Sequence, residues 1–217
     1  MGICQDRVVI ITGAGGGLGA AHAKVFAAEG AKVIVNDINQ DAAQKVVDEI
    51  AAAGGTAVVN TSDITNYDDS LNAVKQAIDT FGDLHVVLNN AGINRDRMFA
   101  SMTEADWDAI MAVHLKGHFC ITSHAVHYWR GQSKEGKAVD ARIINTTSGA
   151  GLQGSVGQSN YAAAKAGIAA LTLNQAAELA RYGITANAIA PAARTGMTTA
   201  VESMAQRMAK PDDGSFD

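Results

Sequence analysis

Short apolar runs rich in β-branched residues alternate along the chain with longer, alanine-rich segments that have the period of a helix. The apolar runs predict strands at 8–11, 32–36, 56–60, 84–88, 141–146 and 184–189. The periodic segments predict helices at 18–29, 41–53, 67–81, 103–129, 160–182 and 198–208, followed by a loop or disordered tail at 210–217. Apolar strands separated by helices are typical of a parallel sheet with helices on both faces. The sequence therefore predicts an α/β fold with a single doubly wound sheet, which binds its ligand at the carboxyl ends of the strands.

The composition fits one folded domain spanning residues 1–217. Hydrophobic residues make up 47% of the chain and charged residues 18%, which excludes an intrinsically disordered protein. The formal net charge of −5, without a cluster of Lys and Arg, argues against nucleic-acid binding. No apolar run is long enough for a transmembrane helix, and the first residues lack the apolar region of a signal peptide. Cys4 and Cys120 are too few for a disulfide framework, no metal site is expected, and a cytoplasmic location is expected.

A glycine-rich segment joins the first predicted strand to the first predicted helix. Glycines let the backbone turn sharply and approach a pyrophosphate, and the start of the helix supplies N–H donors and a positive dipole end. A tight strand-to-helix turn without a ligand is the alternative. The position of the segment favours a dinucleotide site, with candidate contacts Gly13, Gly15, Gly16, Gly17, Leu18 and Gly19.

Polar and small residues also follow the next three predicted strands. Asp37 can accept hydrogen bonds from both hydroxyls of an adenosine ribose and would repel a 2′-phosphate, which favours NAD over NADP. Asp63 and Ile64 could flank an adenine ring. The alternative role is a helix cap for Asp37 and a turn for Asp63. The run Asn89-Asn90-Ala91-Gly92 is small enough for the chain to pass close to a cofactor, with Asn90, Ala91 and Gly92 as candidate contacts.

Ser148, Tyr161 and Lys165 form the constellation with the most specific chemistry. Tyr161 and Lys165 lie four residues apart on one predicted helix and therefore share a face. A phenol with an ordinary pKa of about 10 is a poor base at neutral pH, but a neighbouring ammonium and a nicotinamide cation stabilise the phenolate. Ser148 follows the fifth predicted strand and can donate a hydrogen bond to a substrate oxygen.

These motifs occur in the order and spacing of the short-chain dehydrogenase/reductase family, which the chain resembles from residue 7 to about 208. The resemblance implies a Rossmann domain with a nicotinamide cofactor and an enzyme that interconverts a secondary alcohol and a ketone. It also implies that Tyr161 is the general acid/base and that Ser148 orients the carbonyl. Lys165 would bind the nicotinamide ribose and lower the pKa of Tyr161.

Two shorter stretches, 95–99 and 113–117, resemble the (3R)-hydroxyacyl-CoA dehydrogenase domain of multifunctional β-oxidation enzymes, which uses NAD. The 3-oxoacyl acyl-carrier-protein reductases are also similar but usually prefer NADPH, which Asp37 disfavours. The expected substrate is a 3-hydroxyacyl or 3-oxoacyl thioester of CoA or an acyl carrier. A steroid or other cyclic alcohol dehydrogenase is an alternative, and so is a catalytically silent NAD-binding sensor.

The chain departs from the family pattern at three places. His114 stands where most members have an Asn that takes part in a proton relay through water to the lysine; it either substitutes for that Asn or is a core histidine. Pro191 is followed by Ala192 instead of the usual Gly, and Pro191 and Thr195 are the candidate contacts of the nicotinamide. Members usually continue through a further helix and strand, so we expect that the C-terminal strand is missing because the sequence is truncated.

In the family, the helices that correspond to 103–129 and 160–182 pack against a second subunit as a four-helix bundle. A homodimer or homotetramer is therefore expected. Arg95, Arg97 and Arg194 are candidates to meet a phosphate-bearing carrier, but surface salt bridges are the expected role of each.

Overall fold

The structure, a computed structural model, describes residues 2–192, which contain a six-stranded sheet. The strands are β1 (Val8–Thr12), β2 (Lys32–Asn36), β3 (Thr56–Asn60), β4 (Val86–Asn89), β5 (Ala141–Thr146) and β6 (Ile184–Ile189). They pair in parallel in the order β3-β2-β1-β4-β5-β6. The strand order reverses between β1 and β4, which is where a doubly wound sheet opens a crevice for a ligand. The predicted fold class is confirmed.

Seven α-helices connect the strands within residues 2–192. They are α1 (Gly17–Ala28), α2 (Gln40–Ala52), α3 (Tyr67–Phe81), α4 (Glu104–Ile110), α5 (Gly117–Lys134), α6 (Gly149–Gln153) and α7 (Ser159–Leu179). A π-helical segment, Met111–Lys116, joins α4 to α5, and 3₁₀ turns occur at Phe99–Ser101 and Ala180–Tyr182. Within this part of the chain, no helix is both long and apolar enough to cross a membrane.

Side-chain caps fix the beginnings of three helices. Asn39 and Asn66 accept hydrogen bonds from the backbone N–H groups of Ala42 and Asp69, at the starts of α2 and α3. Thr103 and Asp106 form a reciprocal capping box at the start of α4. Each cap satisfies N–H donors that have no partner in the first helical turn.

The prediction was wrong in detail for the helix at 103–129 and the loop after it. The π-helical segment Met111–Lys116 interrupts the predicted helix, and α5 continues to Lys134 because a single Gly131 inside a helix costs only about 1 kcal/mol. The helix ends at Lys134, with Glu135 as its C-cap, and Gly136 follows with a left-handed φ of +78°. The short helix α6 was not predicted, and α7 gives way to a 3₁₀ turn at Ala180–Tyr182. The predicted helix 198–208 and the tail 210–217 lie outside the described residues.

Two apolar layers enclose the sheet. On one face, Val8, Ile10 and Ile143 pack under α3, α5 and α7. On the other face, Val9 and Ile11 pack under α1 and α2. Because successive strand residues point to opposite faces, a β1 with every residue buried requires both layers.

Trp129 on α5 connects the first layer to the sheet, since it is 2% exposed and its Nε1 donates to the carbonyl of Leu84 at 2.7 Å. We expect Trp129→Phe to lower the free energy of unfolding by about 1–3 kcal/mol, because it leaves a buried carbonyl without its donor and removes buried surface. Urea unfolding followed by circular dichroism measures this loss. The control is Phe99→Leu, at an aromatic side chain that is 77% exposed, which should change the value by less than about 0.5 kcal/mol. Equal losses in the two variants would contradict the prediction.

Candidate active site

The glycine-rich loop between β1 and α1 is tightly packed on one side and open on the other. A Cβ on Gly19 would lie 2.2 Å from the carbonyl oxygen of Gly13, so no side chain fits there. A Cβ on Gly16, by contrast, would meet no atom of the described chain within 4 Å. Gly16 is the N-cap of α1, and no side chain of the described residues caps this helix. The first N–H groups of α1 therefore face open space, and this arrangement fits the pyrophosphate of a dinucleotide.

Asn90 ties the end of β4 to this loop. Its Nδ2 donates to the carbonyls of Thr12 at 3.1 Å and Gly13 at 3.2 Å. Thr12 Oγ1 accepts in return from the backbone N–H groups of Asn90 and Ala91. A Cβ on Gly13, whose φ is +61°, would lie 2.7 Å from Ala91 Cα. The predicted contacts at 13–19 and 90–92 therefore meet at the carboxyl ends of β1 and β4.

The Asp37 carboxylate lies next to the same loop. Its Oδ2 accepts from Gly15 N at 3.0 Å and its Oδ1 from Asn39 N at 2.9 Å. Asn39, not Asp37, caps α2, so the capping alternative for Asp37 is wrong. The carboxylate is thereby held at the end of β2, beside the glycine-rich loop.

Asp63 and Ile64 are held by contacts within the protein. The Asp63 carboxylate accepts from both the backbone N–H and the hydroxyl of Thr65, at 2.8 and 2.7 Å. Ile64 is buried, and its Cδ1 packs so closely over Gly117 that a Cβ there would lie 2.7 Å away. A contact between Ile64 and an adenine ring would therefore involve its backbone, because its side chain belongs to the core.

Lys165 is the most unusual residue of the site because its ammonium is buried. The residue is 2% exposed, its Nζ donates to the carbonyl of Thr146 at 2.6 Å, and its own carbonyl accepts from Thr147 Oγ1. Burial lowers the pKa of Lys165 to about 8. A lysine that is still largely protonated at neutral pH is thereby held at the end of β5.

Tyr161 lies next to both Lys165 and His114. Lys165 Nζ is 5.5 Å from the centroid of the Tyr161 ring, and the His114 ring meets it edge-on at 5.1 Å. Burial raises the pKa of Tyr161, the hydrogen bond with Ser148 lowers it, and the charge of Asp96 raises it, so that the net shift is upward. The phenol is therefore protonated at neutral pH in the protein without cofactor, and Ser148 is within its reach.

Ser148 and His114 are positioned by local backbone features. Ser148 is the N-cap of α6, and its Oγ accepts from Ala150 N at 3.2 Å, so its own proton is free to be donated. The His114 ring lies against Gly92, where a Cβ would be 2.6 Å from its Cε1, and its Nε2 is 2.8 Å from the carbonyl oxygen of Ile93. Burial is the main reason why the pKa of His114 falls to about 3. His114 is therefore a neutral ring in contact with Tyr161.

A set of hydrogen bonds, here called the clasp, connects the segment 94–99 to the start of α7. The sequence analysis did not predict it. Arg97 N donates to the carbonyl of Gly157 at 2.8 Å, and Gln158 Nε2 donates to Asp96 Oδ2 at 3.0 Å. The fully buried Asn160 donates to the carbonyl of Arg95 at 3.2 Å and also to that of Asp106. The clasp fixes the helical turn that carries Tyr161. The only signal in the sequence was that these polar residues stand directly before Tyr161.

The remaining predicted residues lie at the edge of the described structure. Arg97 Nε is 3.6 Å from Asp106 Oδ2, which agrees with the expected surface salt bridge. Pro191 follows β6 and is exposed. Arg194 and Thr195 lie outside the described residues.

The buried Lys165 ammonium should make the chain less stable than it would be with an apolar residue. The pKa of Lys165 is about 8 in the folded state, against an ordinary value of 10.5, so folding disfavours the charged form by about 3 kcal/mol at pH 7. We expect Lys165→Met to raise the free energy of unfolding at pH 7 by about 1–3 kcal/mol, less than the full amount because the Thr146 carbonyl loses its donor.

The pH dependence of the free energy of unfolding distinguishes the cost of burying the Lys165 charge from a packing effect of the Met side chain. Between pH 8 and 10.5 the unfolded chain binds more protons at Lys165 than the folded chain, so the stability of the wild type rises relative to the Met variant. Urea unfolding of both proteins across this range measures the difference, which should shrink towards pH 10.5. Parallel curves would contradict the prediction.

Comparisons with known proteins agree with this geometry. The family model for short chain dehydrogenases matches residues 7–206. The hydroxyacyl-CoA dehydrogenase ChsB1 of Mycobacterium tuberculosis is 50% identical over 204 residues, which cover 91% of this chain and 64% of that protein. The mouse peroxisomal multifunctional enzyme type 2 is 46% identical over 176 residues, which cover 77% of this chain and 23% of that protein. The chain thus spans just under two thirds of the first relative and about a quarter of the second.

A solved structure gives the same result for the fold. The crystal structure of a short chain dehydrogenase from Mycobacterium avium is 62% identical, has a TM-score of 0.88, and matches 91% of this chain and 71% of that one. The match of the family model to nearly the whole chain confirms the resemblance found in the sequence. This chain belongs to the short-chain dehydrogenase family, whose members are oxidoreductases that use a nicotinamide cofactor.

Proposed function

We propose that this chain is an NAD(H)-dependent dehydrogenase that interconverts 3-hydroxyacyl and 3-oxoacyl thioesters. The observation that carries the proposal is the position of Tyr161, whose ring lies next to both the buried Lys165 ammonium and the neutral His114 ring, with Ser148 in hydrogen-bonding reach. A protein that only binds a nucleotide has no use for a phenol placed in this way. The arrangement therefore favours catalysis over a silent sensor.

In the reducing direction, Tyr161 donates its proton to the carbonyl oxygen of the substrate. Its raised pKa keeps the phenol protonated until the oxygen gains negative charge. Ser148 donates a hydrogen bond to the same oxygen, since its Oγ already accepts from Ala150 N. The Lys165 ammonium stabilises the phenolate that remains. When bound, the nicotinamide supplies the hydride in this direction and accepts it in the other.

The proposed cofactor is NAD because the Asp37 carboxylate lies beside the pyrophosphate cradle. A ribose with free hydroxyls can donate to its oxygens, whereas a 2′-phosphate would meet a negative charge. The dinucleotide would be held by the N–H groups at the start of α1, by the backbone at Ala91 and Gly92, and by Asp37.

The proposed substrate class draws on the relatives and on the surface around Tyr161. The relative ChsB1 is named as a hydroxyacyl-CoA dehydrogenase. Two segments near Ser148 and the start of α7 carry exposed apolar side chains. One contains Met98 and Phe99, and the other contains Leu152 and Val156. Apolar surface at this place is suited to an acyl chain.

We also propose a homodimer or homotetramer. The faces of α4, α5 and α7 expose the large apolar side chains of Trp107, Phe119 and Leu173. Such a set of exposed apolar residues on neighbouring helices is typical of an interface between subunits. A second copy of the chain is the proposed occupant.

Oxidation of NADH in the presence of acetoacetyl-CoA tests the reaction and the thioester class together. We expect turnover with the wild-type chain and a loss of about 100-fold or more in kcat for Tyr161→Phe, because the ring remains but its proton is gone. The variant should still bind NADH, as shown by quenching of protein fluorescence. Equal turnover by both proteins would contradict the role of Tyr161. Turnover of a cyclic ketone without turnover of acetoacetyl-CoA would favour the alternative substrate class.

The cofactor preference depends on the charge of Asp37. We expect Asp37→Asn to shift the ratio of kcat/KM for NADH to that for NADPH by about tenfold or more towards NADPH, because repulsion of the 2′-phosphate is removed. Asn keeps an oxygen that can accept from Gly15 N, so the loop is preserved. The control is Asp41→Asn, which removes a charge from the first turn of α2 and should leave the ratio unchanged. An unchanged ratio in Asp37→Asn would contradict the assignment.

A further inference from the structure

Two contacts hold the short helix α6 and its N-cap, Ser148, against one peptide group of α7. This group, here called the 165–166 peptide, consists of the Lys165 carbonyl and the Ala166 N–H. Thr147, directly before Ser148, is buried, and its Oγ1 donates to the Lys165 carbonyl at 2.7 Å. Gly151, three residues after Ser148, approaches the same group so closely that a Cβ on it would lie 2.6 Å from both Lys165 C and Ala166 N. Contacts on both sides of Ser148 in the sequence therefore meet at one point of α7.

Backbone hydrogen bonds connect Ser148 to both of these contacts. Thr147 N donates to the carbonyl of Ile189 at 2.8 Å, so the residue before Ser148 is joined to β6 as well as to α7. Gly151 N donates to the Ser148 carbonyl at 3.0 Å, and Ser148 Oγ accepts from Ala150 N at 3.2 Å. The place of the Ser148 hydroxyl therefore follows from the place of α6 on α7.

Of the two helices, α6 is the one that would move if this contact were crowded. No residue of α6 is buried, whereas α7 buries several residues, Lys165 and Ile168 among them. A side chain at position 151 would have to push α6 away by roughly 1 Å to reach the distance of an ordinary van der Waals contact. A displacement of about 1 Å at a reacting group can lower a rate about 100-fold. The absence of a side chain at position 151 therefore bears on the reaction and not only on packing.

We propose that Thr147 and Gly151 are positioning residues for Ser148. They fix α6 on the 165–166 peptide, and α7 also carries Tyr161, to which Ser148 is hydrogen-bonded. The catalytic consequence rests on the proposed function, because Ser148 affects the rate only if it donates to the substrate carbonyl. The Thr147 hydroxyl is already bonded to a backbone carbonyl, and Gly151 has no side chain, so both act on the reaction through Ser148.

Crystal structures of the wild-type chain and of Gly151→Ala test the positioning directly. We expect Ser148 Oγ to lie in hydrogen-bonding distance of the Tyr161 hydroxyl in the wild type. In Gly151→Ala we expect α6 to be displaced from α7 and this distance to exceed that of a hydrogen bond. Because no residue of α6 is buried, the variant should fold, which circular dichroism checks. An unmoved Ser148 in Gly151→Ala would overturn the proposal, whatever the activity of the protein.

Reduction of acetoacetyl-CoA by NADH tests the catalytic consequence. We expect Gly151→Ala and Thr147→Val each to lower kcat by about tenfold or more, because the Ser148 hydroxyl is misplaced, while the Kd of NADH stays at its wild-type value. Thr147→Ser, which keeps the hydroxyl, should retain kcat to within about twofold. The matched control is Thr172→Val, which removes a buried hydroxyl that also donates to a carbonyl of α7, that of Ile168 at 2.8 Å. It should lower the midpoint of thermal unfolding and leave kcat unchanged.

The same substitutions in a Ser148→Ala background show whether their effect passes through Ser148. We expect Gly151→Ala and Thr147→Val to change kcat by less than about twofold in this background, because the hydroxyl that they misplace is absent. A control for the added methyl group is Gly131→Ala, at a helix glycine whose Cβ would meet no atom of the described chain within 4 Å. It should leave kcat unchanged in both backgrounds.

The outcomes separate the positioning role from the proposed function. If Gly151→Ala and Thr147→Val lower kcat by the same factor with and without the Ser148 hydroxyl, they do not act through it and the positioning role is overturned. If Thr172→Val lowers kcat as far as Thr147→Val, a general loosening of α7 explains the result and the role of Thr147 is overturned. If the wild type does not reduce acetoacetyl-CoA at all, the proposed function fails, while the crystallographic comparison still decides whether Gly151 places Ser148.

Discussion

The burial of the Lys165 ammonium is the constraint on which the proposed site depends. An ammonium inside a protein needs acceptors that the fold supplies at fixed positions. Here the acceptor is the carbonyl of Thr146, the last residue of β5. The Lys165 carbonyl is bonded in turn to Thr147 Oγ1. The end of β5 and the first two turns of α7 therefore hold the cation together, and Tyr161, one turn earlier on α7, is brought beside it.

The π-helical segment that carries His114 also positions a side chain against Tyr161. A regular helix from Glu104 to Lys134 would not present this face in the same way, and the π-helical segment Met111–Lys116 shifts the register where α7 packs against it. π-helical turns inside α-helices occur frequently at functional sites. A Cβ on Gly167 of α7 would lie 3.2 Å from Leu115, so close packing is kept across the irregular turn. The neutral His114 ring then meets the Tyr161 ring edge-on.

The sequence was sufficient for the features that depend on local pattern, and insufficient for those that depend on distant partners. Strands such as Ile184–Ile189 were predicted because apolar runs between turn residues are visible in one window. The π-helical segment was not, since nothing in a helical period marks a change in hydrogen-bond spacing. The hydrogen bond from Asn160 to Arg95 joins residues 65 apart and could not be inferred from spacing.

The buried polar residues of the sheet lie along one edge because they stand at or near the carboxyl ends of the strands. Each of the five strands β1 to β5 is apolar at its centre and reaches a buried polar residue at or near its end, in the series Thr12, Asn36, Asn60, Asn89 and Asn145. Parallel register aligns these residues, so that Asn36 Nδ2 donates to Asn60 Oδ1 at 2.7 Å and Asn89 Nδ2 to Asn145 Oδ1 at 2.9 Å. Amides that bond to each other satisfy most of the polar groups at the end of a core, and Asn89 Oδ1 is the atom of this row that has no partner among the described residues. The row therefore marks a boundary at which the apolar sheet gives way to the glycine-rich loop, Asp37 and Tyr161. The Thr146 carbonyl that accepts from the buried Lys165 ammonium directly follows the last amide of this row, Asn145, at the end of β5.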